Sequence, residues 1–102
     1  MTLYVSERSI TSDSTPEYAS RTANREGVAW RLSWLPGRTL TLEQARAGME
    51  LDELLSDPDN VHDYAALAKA DTCASRIGLI REQVVILLAK RMQSRLQSAA
   101  TN

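Results

Sequence analysis

The chain has 102 residues, of which 43% are hydrophobic and 25% are charged, with a formal net charge of −1. These values are typical of one globular domain and exclude a largely disordered chain. The charge balance also argues against a dedicated nucleic-acid-binding protein, which carries a basic excess to neutralise phosphates.

The cysteine count and the apolar runs predict a cytoplasmic protein without a membrane segment. Cys73 is the single cysteine, so an intrachain disulfide is excluded and a reducing compartment is favoured. The N-terminus lacks the basic start and long apolar run of a signal peptide. The longest apolar run, residues 84–89, is far shorter than the about 20 residues that cross a bilayer.

Charge is distributed unevenly along the chain. Residues 1–41 sum to +1, residues 42–71 to −6 and residues 72–102 to +4. The acidic middle and the basic C-terminal segment allow two interpretations. The segments neutralise each other within one fold or across a dimer, or the basic segment forms a face for an acidic partner.

Residues 1–40 are predicted to form the β region of the fold. Residues 3–5 and 18–22 are short strand candidates, and residues 28–35 form the strongest. In that segment every second residue is aromatic or aliphatic, which places one set of side chains on a single face: Val28, Trp30, Leu32 and Trp34. The expected result is an antiparallel β-hairpin or three-stranded meander with both tryptophans in the core.

Polar and glycine-containing segments are predicted to be turns between these strands. Residues 9–16 are polar and end in proline, and residues 24–27 end in Gly27, which adopts a positive φ without steric cost. Pro36 and Gly37 are expected to end the last strand.

About three helices are predicted over residues 41–98, packed on one face of the sheet. Thr41 and Gln44 form a capping box before a first helix at residues 42–55. On that helix four charged residues share one sector and are expected to be solvated: Glu43, Arg46, Glu50 and Glu53. The chain is therefore predicted to be a single α+β domain over residues 1–102, with a frayed tail at residues 99–102.

The second helix is predicted to begin at Asp57-Pro58, because Asp caps helices and Pro suits the first helical position. Val61, Tyr64, Ala65 and Ala68 would form its apolar stripe. A break is expected between residues 71 and 78, with Gly78 as the C-terminal cap or hinge.

The last helix, predicted at about residues 79–97, is apolar nearly all round at residues 84–89. A domain of this size has little interior in which to surround a helix completely. We therefore expect a homodimer or higher oligomer through this helix, with an interface of Val84, Val85, Leu87, Leu88 and Met92. A host protein is an alternative partner.

No catalytic, cofactor-binding or metal site is predicted. His62 is the single histidine, so a two-histidine metal site is excluded, and Cys73 is expected to be a buried apolar filler. The carboxylates at residues 52–63 are better explained by helix starts than by acid–base catalysis. An enzyme that uses His62 or these carboxylates is kept as an alternative.

The principal alternative to an interaction module is a dimeric DNA-binding regulator. It would use the basic residues of the C-terminal segment: Arg76, Arg81, Lys90, Arg91 and Arg95. Trp30 and Trp34, close to Arg31 and Arg38, would also suit a protein interface or a surface that stacks nucleic-acid bases, although their alternation with Val28 and Leu32 favours the core.

Residues 30–38, with the sequence WRLSWLPGR, are followed by Leu40 and by Glu43-Gln44-Ala45. This segment resembles small, poorly characterised proteins of actinobacteria and of their phages and prophages, which similarly combine a tryptophan strand, a Leu-Pro-Gly-Arg turn and a Gln-Ala helix. The resemblance covers about 30 residues and implies an accessory protein. It implies no known reaction and no catalytic residues for this chain. It adds a phage-encoded inhibitor of a host protein to the alternatives.

Overall fold

The structure is a computed structural model that describes residues 2–24, 27–60 and 62–100. Within these residues, five strands precede three helices: β1 (Leu3–Val5), β2 (Ser9–Ser12), β3 (Tyr18–Asn24), β4 (Gly27–Leu32), β5 (Leu35–Leu40), α1 (Leu42–Ser56), α2 (Tyr64–Arg76) and α3 (Arg81–Ala100). A 3₁₀ turn, Pro58–Asn60, lies between α1 and α2. The predicted α+β fold is confirmed.

The strands form one antiparallel sheet in the order β1-β2-β3-β4-β5. The sheet therefore has two strands more than the predicted meander. The prediction that residues 9–16 form a turn is wrong, because Ser9–Ser12 is a strand. A single apolar residue anchors it: Ile10 is fully buried and pairs with Ala19, while Thr11 is exposed.

The last hairpin turns earlier than predicted. Leu32 pairs with Leu35, so Ser33 and Trp34 form a two-residue turn. Pro36 then lies inside β5, where an edge strand tolerates the missing N–H. Because Trp34 is 1% exposed, its burial in the core provides a physical reason for a turn that lacks the usual glycine.

The turn between β3 and β4 has the predicted positive φ at Gly27. Gly27 has a φ of +126°, in the region that glycine adopts without a Cβ penalty. Asn24 pairs with Gly27 at this end of the ladder. Residues 25 and 26 lie outside the described residues.

The core lies between the sheet and α1, and both tryptophans are part of it. Trp30 is 5% exposed and Trp34 1%. Helix α1 contacts β2, β3 and β4, and α2 packs on α1. The approach of α1 to β4 is close at Gly48, because a Cβ built there would lie 2.3 Å from Leu32 Cδ1.

Helix α1 begins as predicted but one of its charged residues is not solvated. The Thr41 hydroxyl accepts from the Gln44 N–H at 3.1 Å, and the Gln44 side chain accepts from the Thr41 N–H at 2.9 Å. Glu53, however, is 6% exposed. The hydroxyl of Ser12 donates to its carboxylate at 2.7 Å, so β2 covers the Glu53 end of the sector that was predicted to be solvated.

Helix α2 begins six residues later than predicted. Asp57 ends α1, and Asp63 is the N-cap of α2, its carboxylate accepting from the Ala65 and Ala66 N–H groups. This shift changes the buried face. Tyr64 is 86% exposed, and the residues that pack inward are Ala66, Ala70, Cys73 and Ala74. Val61, part of the predicted stripe, lies outside the described residues.

The predicted break before the last helix is confirmed. Helix α2 ends at Arg76, and Gly78 has a φ of +74°. The N–H groups of Ile77 and Gly78 donate to carbonyls of the last turn of α2. Helix α3 follows, and its backbone continues to Ala100, into the segment predicted to be frayed; residues 101 and 102 lie outside the described residues.

Candidate interaction surface on the C-terminal helix

One face of α3 belongs to the core of its own chain. Val84 is fully buried, and Leu87 and Leu88 are partly buried against the same core. Arg91 and Arg95 continue this face at helical spacing and reach Glu17. The inward face therefore starts apolar and ends in two guanidinium groups.

The neighbouring face of α3 is apolar and exposed. Val85 is 48% exposed, Met92 57% and Leu96 65%, and Ala89 between them is also exposed. We call these four residues the apolar stripe. Their spacing of four, three and four residues is that of a helix-pairing seam, in which side chains interlock with those of a second helix.

The structure divides the predicted interface between these two faces. Val85 and Met92 lie in the apolar stripe. Val84, Leu87 and Leu88 instead pack on their own chain, because at about 100° per residue they lie on the neighbouring, inward face of the helix rather than in the apolar stripe. Leu96 was not among the predicted residues, although its spacing of four from Met92 is visible in the sequence.

A groove continues the apolar stripe at its N-terminal end. It has a volume of about 240 Å³ and lies between the end of α1, the start of α2 and α3. Its lining residues are Leu54, Leu55, Asp57, Asn60, Leu67, Arg81 and Val85. Because Val85 belongs to both, the groove and the apolar stripe form one continuous surface.

A buried carboxylate fixes the C-terminal half of α3. Glu17 is 3% exposed, and it accepts from Arg91 Nε and Nη2, each at 3.3 Å, and from Arg95. The Ser33 hydroxyl also donates to it. Burial alone would raise the pKa of Glu17, but the hydrogen bonds from Ser33, Arg91 and Arg95 outweigh it, and the pKa lies below its ordinary value.

A second buried carboxylate lies near the first. Asp52, 2% exposed, accepts from the hydroxyls of Thr15 and Ser56. Burial is the main cause that raises its pKa, and the negative charge of Glu17 raises it further, against the opposing hydrogen bond from Thr15. The two carboxyls therefore have pKa values shifted in opposite directions.

Most of the basic residues considered for nucleic-acid binding form ion pairs within the chain. Arg81 Nε lies 3.5 Å from Asp71 Oδ1, and Arg91 and Arg95 bind Glu17. Lys90 and Arg76 are exposed. The predicted basic segment is therefore partly neutralised by the acidic residues of its own fold.

The candidate catalytic residues are not gathered into one site. His62 is exposed and precedes the N-cap of α2, whereas Cys73 is buried beneath α1. Burial, together with the nearby Glu50 carboxylate, raises the pKa of the Cys73 thiol, which opposes formation of a nucleophilic thiolate. Among the described residues, no group of three or more His, Cys, Asp or Glu side chains could hold a metal ion.

A larger groove of about 440 Å³ lies at the open end of the inner sheet face. Its apolar lining includes Val28, Trp30 and Leu42, and the charged residues at it are Glu7 and Arg21. The Arg21 guanidinium donates to the Glu7 carbonyl oxygen at 3.3 Å. The hydrogen bond between Arg21 and Glu7 does not supply the nucleophile with an adjacent base that covalent catalysis requires.

Comparison of the chain with protein-family models, with curated protein sequences and with solved structures found no match. Within the described part of the chain, none of the helices is long and apolar enough to cross a membrane.

Proposed function

We propose that this protein is a non-enzymatic interaction module that assembles with a second copy of itself through the apolar stripe of α3. The observation that carries the proposal is the exposure of Val85, Met92 and Leu96 at helix-pairing spacing. Contiguous exposed apolar surface of this kind is typical of protein interfaces.

The position of the apolar stripe supports an interface rather than a loosely packed core. The neighbouring, inward face of α3 is anchored by Val84 at one end and by the pairs of Arg91 and Arg95 with Glu17 at the other. A rotation that buried the apolar stripe would expose Val84 and separate both arginines from Glu17. The stripe therefore needs cover from outside the chain.

The energetics predict a weak, concentration-dependent dimer from the apolar stripe alone. Full burial of a Val, Leu or Met side chain stabilises by about 1.5–3 kcal/mol, and between about a third and a half of each is already buried. Six such side chains from two copies contribute about 6 kcal/mol. Association costs about 4 kcal/mol or more, so further apolar burial next to the stripe would be needed for a tight dimer.

The nucleic-acid alternative is less well supported by the geometry. Three of its five basic residues are in ion pairs within the chain: Arg81, Arg91 and Arg95. DNA binding would require these pairs to open or the contacts to depend on Arg76 and Lys90. Binding that falls steeply with added salt in a gel-shift titration would favour this alternative.

The proposal is tested by sedimentation equilibrium from micromolar to millimolar concentration. The native chain should show a mass that rises toward that of a dimer. Leu96→Glu should remain monomeric, because a charge in an apolar interface is left unpaired, and it should fold normally because Leu96 is 65% exposed. A native chain that stays monomeric throughout would overturn the proposal.

Gln97→Glu is the matched control for that experiment. It adds the same charge one residue further along, on another exposed position that lies about 100° around the helix. It should associate like the native chain. Circular dichroism of all three proteins verifies that the helices are intact, and equal weakening by both variants would contradict an interface limited to the apolar stripe.

A further inference from the structure

We infer that the two copies pair their α3 helices antiparallel, and that Leu96 of each copy occupies the groove beside Val85 of the other. This inference rests on the proposed self-association. It adds the direction of pairing, its register and a specific contact at each end of the interface.

The first argument is the shape of the surface around the apolar stripe. The groove of about 240 Å³ lies at the Val85 end, between Leu54, Leu55 and Leu67. At the other end the stripe terminates in Leu96, the most exposed of its members at 65%. A protruding side chain at one end and an apolar hollow at the other fit together only when the second helix runs in the opposite direction.

The second argument is the match of side-chain sizes in this register. An antiparallel pair centred between Ala89 and Met92 places Leu96 opposite Val85 and the small Ala89 opposite the large Met92. Alternating large and small residues across an interface lets the two surfaces interlock. A parallel pair would instead place Met92 against Met92 and Leu96 against Leu96, with both grooves empty.

The third argument is charge. Residues 42–71 sum to −6 and residues 72–102 to +4. The groove is lined by Asp57, and Asp59 and Asp63 follow in the same connection between α1 and α2. With Glu17 counted, Lys90, Arg91 and Arg95 leave the C-terminal half of α3 with a net charge of about +2. Antiparallel pairing brings this half of one copy toward the acidic connection of the other, whereas parallel pairing would place the two basic halves side by side.

Helix dipoles act in the same direction as these charges. Two parallel α3 helices would align their partial charges with like ends adjacent, and antiparallel helices place opposite ends together. Size, charge and the groove therefore favour one arrangement.

Disulfide trapping tests this arrangement in the full chain with Cys73 replaced by alanine. Val85→Cys and Leu96→Cys variants, one of them carrying a mass tag, are oxidised separately and as an equimolar mixture. In the antiparallel register the two Val85 positions are eleven residues apart along the helix, about 16 Å, which is beyond the about 7 Å that a disulfide spans between Cα atoms. Cross-linking is therefore expected in the mixture, as the mixed product, and not in either variant alone.

Sedimentation of the reduced proteins separates failure of the inference from failure of the proposed function. A monomer at all concentrations would overturn both. A dimer that cross-links within each single variant would show parallel pairing, and a dimer that cross-links in neither the variants nor the mixture would exclude this register. Either result would overturn the inference while the proposed self-association stands. Gln97→Cys, beside Leu96 but off the apolar stripe, should not cross-link with Val85→Cys.

Discussion

Replacing Glu17 with glutamine removes the charge that anchors α3 while preserving the size of the side chain. In the native chain this carboxylate accepts hydrogen bonds from the Ser33 hydroxyl and from both Arg91 and Arg95. In Glu17→Gln an amide NH₂ group replaces one accepting oxygen and faces donors that it cannot bind. The two guanidinium groups lose their countercharge, so the C-terminal half of α3 should be held less firmly.

The expected loss of stability lies between the values for buried and surface ion pairs. Removing one partner of a fully buried pair costs about 3–5 kcal/mol, whereas exposed pairs contribute about 0–1 kcal/mol. Here Glu17 is buried but each arginine side chain is 41% exposed. We therefore expect Glu17→Gln to lower the free energy of unfolding by about 1–3 kcal/mol at neutral pH, equivalent to a fall in Tm of at least about 4 °C.

The pH dependence of this loss has a defined sign. The folded-state pKa of Glu17 lies below its ordinary value of 4.5, so the unfolded chain binds the proton more tightly. The stabilisation is therefore fully present above about pH 4.5 and is lost as pH falls through the folded-state pKa. The stability difference between the native chain and Glu17→Gln should be constant at neutral pH and should shrink in acid.

Urea unfolding of the native chain and of Glu17→Gln at pH values from 3 to 8 measures this difference. Glu7→Gln is the control, because Glu7 is an exposed glutamate whose replacement should change stability by less than about 0.5 kcal/mol. A difference for Glu17→Gln no larger than that of the control, or one that does not decrease in acid, would refute the proposed anchoring of α3.

Two further substitutions test the buried carboxylate Asp52 and the close approach at Gly48. The free energy of unfolding of Asp52→Asn should rise relative to that of the native chain as pH increases from 3 to 7. The folded-state pKa of Asp52 is raised, so the native chain loses stability as pH rises through that pKa. Urea titrations measure the difference, and a difference that does not change with pH would contradict this. Gly48→Ala should lower Tm in calorimetry, because the new Cβ would lie 2.3 Å from Leu32. Such overpacking costs about 1–3 kcal/mol, which exceeds the gain of about 1 kcal/mol in helix propensity. Gly37→Ala, where a Cβ meets nothing within 4 Å, should change Tm little, and a stabilised Gly48→Ala would show that Leu32 can move aside.

The errors in the sequence analysis occur where packing overrides local signals. Residues 9–12 contain three hydroxyl residues and one isoleucine, a composition typical of a turn, yet Ile10 and the pairing with β3 make them a strand. Asp57-Pro58 has the residue types of a helix start, but Asp57 ends α1 and Asp63 caps α2. Both segments offer two locally acceptable structures, and tertiary contacts select one.

The apolar stripe was only partly predictable for a related reason. Hydropathy along residues 84–92 shows that the helix is apolar on several sides, but it does not identify the side that the chain covers itself. That choice depends on Val84 reaching the core and on Glu17, distant in sequence, binding Arg91 and Arg95. The groove that ends at Val85 also requires three separate helices.

Sequence alone determined the features that depend on a few neighbouring residues. These are the capping box of Thr41 and Gln44, the positive φ of Gly27 and Gly78, and the order of a β region followed by helices. Steric limits and local hydrogen bonds decide such features, so the features can be predicted from the sequence. The turn at Trp34, the burial of Glu17 and Asp52 and the exposed side of α3 were decided only by the tertiary structure, because each depends on contacts between residues far apart in sequence.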